Sequence, residues 1–251
     1  MTDKIIEIKN LTHNYQKNHP SIENITFSVS KGEFIVIAGK NGSGKTTLFK
    51  LLNGLLTATS GEVFIHGKSV AKNSIFARKN LGLVFQDPDT QIVGETVFDD
   101  AAFGPENLRL PRNEIKKRVV LILKKLGLFH LKDRNPATLS GGEKRRLAIA
   151  GILSMNTEIL VLDEPFSNLD FSGTLELLSY IKLLSNSGHT ILIATHELEK
   201  IIFHATRLII MDKGKIIGDD KPLKLIKKVE KFGIKEPCSS KFGMGIKKWE
   251  G

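Results

Sequence analysis

GKNGSGKT, residues 39–46, is the stretch from which the rest of the chain is read. It fits G-x-x-x-x-G-K-[ST], the pattern of a loop that cradles phosphate. EFIVIA at 33–38 precedes it with the apolar, β-branched content of a buried strand. TTLFKLLNGLL follows Lys45 as a predicted helix, expected to tolerate Gly54 near its end. Strand, glycine-rich turn and helix are the context the pattern requires. Glycines let the backbone approach phosphate oxygens, whose charge is met by main-chain N–H groups and the helix's positive end. Gly39, Lys40, Asn41, Gly42, Ser43, Gly44 and Thr47 are therefore candidate nucleotide-binding positions. Lys45 is expected to reach the β- and γ-phosphates, and the Thr46 hydroxyl to coordinate Mg²⁺. The competing reading is a plain glycine-rich turn before a core helix, and the flanking elements argue against it.

The 251 residues suffice for one large α/β domain, or a domain with a subdomain. Hydrophobic residues make up 41% and charged ones 25%, ordinary for a soluble globular protein. The longest apolar runs, such as ILVL at 159–162, are far too short to span a membrane. The N-terminus enters strand-like alternation with no signal-peptide pattern. A single cysteine, Cys238, excludes an internal disulfide and fits a reducing compartment. Of the net charge of +10, the last 39 residues hold 11 lysines against 5 acids. Residues 221–251 are thus expected to form a basic extension, read as a solvated, partly mobile tail. Attraction to anionic lipid or an acidic partner is the sharper alternative. No zinc spacing or basic-aromatic interleaving supports nucleic acid as a partner.

KIIEI at 4–8, NITFSVS at 24–30 and GEVFIHG at 61–67 read as strands, the last as a hairpin arm, and LGLVF at 81–85 as a buried strand. From about 87 to 155 the pattern changes to a helical insertion. Ile115, Val119, Ile122, Leu123 and Leu126 recur at helical spacing, and Gly127 is placed to stop that helix. EILVLDE, TLELLSYIKLLSNSG, TILIATHE and RLIIMD then alternate strand and helix, which implies parallel strands covered on both faces.

ILVLDEP ends a buried strand in two consecutive acids. Successive strand side chains point oppositely, so Asp163 and Glu164 need not share a role. Asp163 is the candidate Mg²⁺ anchor and Glu164 the candidate base that polarises an attacking water. Gln86, at the end of LGLVF, could touch Mg²⁺ or that water. His196, closing TILIATH, could contact a γ-phosphate, and Tyr15 could stack on adenine. Each of these three taken alone would be an ordinary loop or packing residue.

A second glycine turn, LSGGEKRRLAIA at 139–150, lacks a lysine at the phosphate-loop position. Ser140 and Glu143 make an S-x-x-E capping box, enough to start a helix. Two glycines in the first turn cost helix propensity, so capping alone does not explain them. Bare amides, a hydroxyl and a positive helix end suit an anion, and this turn could close over a nucleotide seated on another subunit.

These residues resemble those of the ATP-binding-cassette ATPases. The likeness covers about residues 1–220, to be read as one ATPase domain: the phosphate loop, Gln86, LSGGE, LVLDEP, SNLD at 167–170 and His196, in that order. The resemblance implies an α/β phosphate-loop fold with a mixed, mostly parallel sheet, an N-terminal antiparallel β-subdomain and a helical subdomain at about 87–155. It implies ATP and Mg²⁺, and two cassettes meeting head to tail. Ser140, Gly141 and Gly142 would then bind the γ-phosphate in trans, and Asp170 would communicate between sites. Glu143 stands where the family more often has glutamine. VFQDPDTQIVGETVFDDAAFGPENL at 84–108, with RRLAIAG after the signature, is similar to the ATPase subunits of energy-coupling-factor importers of vitamins, cobalt or nickel. That likeness implies a second ATPase subunit, homo- or heteromeric, an integral membrane partner, and a place on the cytoplasmic face of the membrane. The alternative is a nucleotide-switched regulator or scaffold that transports nothing. A GTP switch is weaker, since no N-K-x-D motif occurs.

Overall fold

The computed structural model describes residues 3–16 and 19–249; Met1, Thr2, Lys17, Asn18 and the last two residues of the basic extension lie outside them. Two sheets organise the chain. The larger has the order β10–β9–β3–β8–β7–β6, built from β3 (Phe34–Ala38), β6 (Leu81–Val84), β7 (Ile159–Asp163), β8 (Thr190–Thr195), β9 (Arg207–Asp212) and β10 (Lys215–Asp220). Its four pairings from β9 to β6 are parallel, and the β9–β10 hairpin at the edge is antiparallel.

Every residue of β3, β7 and β8 is buried, which accounts for their unbroken apolar runs. Along β3, Phe34, Val36 and Ala38 belong to one core while Ile35 and Ile37 belong to another, on opposite faces of the sheet. The first face is covered by α5 (Gly141–Ser154) and α6 (Phe171–Asn186). The second is covered by α1 (Lys45–Leu52), by α2 (Ser74–Asn80) through Ala77, and by the smaller, antiparallel sheet. That sheet has the order β2–β1–β4–β5, from β1 (Lys4–Gln16), β2 (His19–Ser30), β4 (Ser60–Ile65) and β5 (Lys68–Ser69). The hairpin arm at 61–67 is β4, which turns through His66 and Gly67 into β5.

Register places the functional ends of the strands together. Ala38 of β3 lies opposite Thr195 of β8, and Asp163 of β7 opposite Ala194. The carboxyl ends of parallel strands are where open α/β sheets bind ligands. The phosphate loop, the acid pair and His196 therefore leave the sheet at one edge.

Between β6 and β7 lie α3 (Val97–Asn107), α4 (Arg112–Lys125) and α5, with short 3-10 turns at 88–90, 129–131 and 136–138. Ile115, Val119 and Leu123 are the buried face of α4, and Gly127 follows it at φ +68°. α5 packs on α3 and α4, and also on β6, where a Cβ at Gly82 would collide with Ile152.

Two expectations are corrected. α1 stops at Leu52 instead of running on through Gly54. Gly54 takes φ +73°, its N–H bonds Leu51 O at 3.2 Å, and Leu55 N–H bonds Lys50 O at 2.8 Å. That pair of bonds is a Schellman stop, which only a left-handed residue permits cheaply. The basic extension is also not simply solvated. Ile226, Val229 and Ile234 are 2%, 0% and 2% exposed within the first core. Burial of this kind stabilises by about 1.5–3 kcal/mol per side chain. Net charge hid the pattern: lysines at 224, 227, 228 and 231 interleave with the inward apolar residues.

Candidate functional site

The phosphate loop is shaped by close approach. A Cβ at Gly39 would lie 2.5 Å from the Met211 carbonyl oxygen, and one at Gly44, which caps α1 at φ +102°, 2.7 Å from that of Ser21. Both neighbours are backbone and cannot swing aside. The loop is thus pressed between the ends of β9 and β2 and delivers its amides to the start of α1.

Lys45 is 5% exposed, and its ammonium donates to the Gly39 and Lys40 carbonyls at 2.7 and 3.1 Å. It also lies 3.5 Å from Glu164 Oε1. Thr46 donates its hydroxyl to Asp163 Oδ2 at 2.6 Å. Burial raises the Asp163 pKa above the usual carboxylate range and the neighbouring Glu164 adds to this, while the Thr46 hydroxyl, Lys45 and Lys50 offset part of it. Asp163 Oδ1 and Ser43 Oγ are buried without a hydrogen-bond partner.

Glu164 is 5% exposed and sits in the left-handed region at φ +45°, unusual for a residue other than glycine or asparagine. Its N–H donates to Ala194 O at 2.9 Å, and its Oε1 lies 3.0 Å from His196 Nδ1. Asp163 points back toward Thr46 and Glu164 toward His196 and Lys45; since β7 ends at Asp163, the left-handed backbone of Glu164 and not strand alternation divides the pair.

Lys45, Thr46, Asp163 and Glu164 border a cleft of about 620 Å³, which His196, Gly39 and Lys40 do not line. Tyr15, Asn41, Gly42, Ser43, Thr47 and Gln86 also line it. Tyr15 is 57% exposed, stands edge-on to His13 with ring centres 4.8 Å apart, and keeps its hydroxyl 3.4 Å from Thr47 Oγ1. Ser21, Lys213 and Gly214 line the cleft too, and the sequence reading missed them. Gly214 donates its N–H to Ser43 O at 3.1 Å. A lysine-glycine turn between two apolar strands was readable as a hairpin. Nothing local in it says that the hairpin abuts the phosphate loop.

Ser140, Gly141, Gly142 and Asp170 do not line this cleft. Ser140 caps α5 reciprocally: its Oγ accepts from Glu143 N–H at 3.3 Å, and its own N–H donates to Glu143 Oε2 at 2.7 Å. Burial pushes Glu143 up, but the Ser140 amide and hydroxyl, with Arg146 and His130, bring its pKa below the usual range. A Cβ at Gly141 would meet nothing nearer than Leu169 Cδ2 at 3.9 Å, and one at Gly142 nothing nearer than Gly173 Cα at 3.8 Å. Each glycine costs an α-helix about 0.8–1.0 kcal/mol relative to alanine. Packing within the chain does not account for that cost. Asp170 caps α6, its Oδ1 accepting from Gly173 N–H at 2.8 Å.

The donor set suits a triphosphate with a hard divalent cation. The unpartnered Asp163 Oδ1, the Thr46 hydroxyl and the cleft-lining Gln86 offer oxygen ligands, as Mg²⁺ prefers alongside phosphate oxygens.

Comparison with known proteins agrees with this geometry. Residues 22–167 match the family model described as ABC transporter. The energy-coupling factor transporter ATP-binding protein EcfA1 of Streptococcus mutans is 43% identical over 247 residues, covering 96% of this chain and 88% of that one. The EcfA protein of Methanocaldococcus jannaschii is 42% identical over 229 residues, covering 90% and 82%. Among solved structures, cbiO1 of Clostridium perfringens, described as part of the ABC transporter complex cbiONQ, aligns with a TM-score of 0.82 at 36% identity. It covers 91% of this chain and 92% of its own.

Proposed function

The chain belongs to the ABC transporter ATP-binding family, and from that premise we propose that it hydrolyses ATP at a site shared by two ATPase subunits to drive an energy-coupling-factor-type importer. One observation carries the hydrolytic part. Lys45, Thr46, Asp163, Glu164 and His196, from three sequence segments, converge at the carboxyl ends of β3, β7 and β8.

The phosphates would lie against the loop amides at the start of α1, with Tyr15 offering its ring to the adenine. Thr46, Asp163 and Gln86 would hold Mg²⁺, which when bound neutralises charge on the phosphate oxygens. Lys45 is satisfied by two loop carbonyls and by Glu164 in this structure. A phosphate within its reach competes for all three contacts. Drawing the ammonium toward phosphate would release Glu164 to accept a proton from the attacking water. His196 Nδ1 lies 3.0 Å from the same carboxylate oxygen and would orient it.

The facing subunit would supply the Ser140–Gly142 turn. Absent side chains there let backbone and helix end approach the γ-phosphate closely, which offsets the propensity cost of two glycines. That subunit is a second copy or a related cassette, and Asp170 would relay between the two sites. Among the described residues no helix is long and apolar enough to cross a membrane. Coupling would pass to an integral membrane partner at the cytoplasmic face, through the groove of the Gln86 loop and the helices after it, a reading supported by the likeness to cbiO1, part of the ABC transporter complex cbiONQ. The solute would be a vitamin, cobalt or nickel.

The test is to purify the chain from its native membrane, identify the accompanying membrane proteins, and reconstitute the complex in vesicles. ATP should drive solute uptake, and Glu164→Gln should lower hydrolysis and uptake by about a hundredfold or more while ATP still binds. Isolation without an integral membrane protein, or near-normal turnover of Glu164→Gln, would overturn the proposal.

A further inference from the structure

Arg145 stands on α5, one and a half turns beyond the Ser140 cap, and is 4% exposed. A buried guanidinium is tolerated only where its donors find acceptors. Its Nη1 donates to the Glu164 carbonyl at 3.2 Å, and its Nη2 donates to the Ser167 carbonyl. Burial lowers the pKa of Arg145, and the charge of Asp87, next to Gln86, offsets part of that cost.

The two carbonyls belong to an unusual piece of backbone. Glu164 and Asn168 both take positive φ, +45° and +59°. A left-handed residue other than glycine costs on the order of 1–3 kcal/mol and persists only where its surroundings hold it. At Glu164 the N–H is held by Ala194 O on β8, and the carbonyl accepts from the Ser167 N–H within its own turn and from Arg145 on α5, each at 3.2 Å. Both backbone polar groups of this residue are thus fixed, which fixes where its carboxylate starts. Arg145 touches the carbonyl and leaves the carboxylate to Lys45 and His196, so its effect is on placement.

We propose that Arg145 is a positioning residue that ties the helix beginning at Ser140 to the backbone of Glu164. This rests on reading Glu164 as the base and Ser140 as acting in trans. The helix that closes over the partner's nucleotide then also sets the base beside its own, and each site senses whether the other is closed. Only a planar fork serves both carbonyls. A lysine ammonium on the same path is a point donor and reaches one.

The experiment compares Arg145→Gln, Arg145→Lys and Glu164→Gln in the full chain within its assembled complex, measuring turnover, ATP affinity and melting temperature. Arg145→Gln is expected to lower kcat by about ten- to a hundredfold, the penalty of a misplaced group. The KM and the ATP affinity are expected to stay within about twofold. Arg145→Lys should recover only part of the rate, and it decides the matter alone if the glutamine variant does not fold. A kcat within about twofold of the parent in the folded variants would overturn the inference. So would ATP affinity falling in step with kcat, as a general loosening of the fold predicts. If Glu164→Gln itself turns over normally, the base assignment fails. If it is inactive while the Arg145 variants are not, only the positioning role fails.

Discussion

Thr46 donates its hydroxyl hydrogen to Asp163 across 2.6 Å, joining residues 117 positions apart. The bond ties the first turn of α1 to the end of β7 and satisfies one oxygen of a buried carboxylate whose other oxygen has no partner. Thr46→Val keeps the shape and removes the donor. Leaving Asp163 unsatisfied should cost about 1–3 kcal/mol of stability. The stabilisation that Mg²⁺ and ATP give the parent should shrink as well, since ligand binding to the folded state raises its melting temperature. Thermal denaturation with and without Mg²⁺ and ATP reads both effects.

Gly39 is the position where the loop has least room. Gly39→Ala places a methyl 2.5 Å from the Met211 carbonyl oxygen, and neither backbone can yield without moving β9 or the loop. The expected cost is about 1–3 kcal/mol, as for other overpacked sites. ATP affinity should fall with it, because the displaced backbone is the phosphate cradle. Chemical denaturation and equilibrium nucleotide binding on one preparation would show the two losses together.

Burial holds His189 and His204 below the ordinary histidine pKa, and at His189 the Leu184 carbonyl offsets only part of this. Unfolding returns both toward about 6.5. Below that pH the unfolded chain binds more protons than the folded one, so their contribution is present above about pH 6.5 and is lost as pH falls. The melting temperature should drop between about pH 7.5 and pH 5.5, and His189→Gln should make that drop smaller.

The sequence made the chemical pieces legible because each is a local pattern. Strand, glycine loop and helix announce themselves within fifteen residues, and an apolar run ending in Asp-Glu does so within seven. Ser140 and Glu143 signalled their capping box at a spacing of three. Contacts made over long separations were not legible. Lys213 and Gly214 reach the cleft only because β9 pairs with β3, and Arg145 reaches Glu164 only because the first turns of α5 lie beside the backbone that follows β7. In the basic extension, charge counting outweighed the apolar residues between the lysines, so the docking of Val229 and Ile234 went unread. The end of α1 was missed for a different reason. In the sequence Gly54 reads as a glycine tolerated near the end of the helix, whereas its left-handed conformation makes it the stop.

Subunit complementation tests the shared site most directly. Lys45→Ala removes the phosphate-loop half and Ser140→Arg blocks the signature half, so each variant alone should be inactive. In a mixed dimer, one site pairs the intact loop of the Ser140→Arg chain with the intact signature of the Lys45→Ala chain. Mixing the two inactive proteins should therefore restore ATP hydrolysis. A mixture no more active than its components, or a Ser140→Arg protein that hydrolyses ATP normally by itself, would contradict a site built from two subunits.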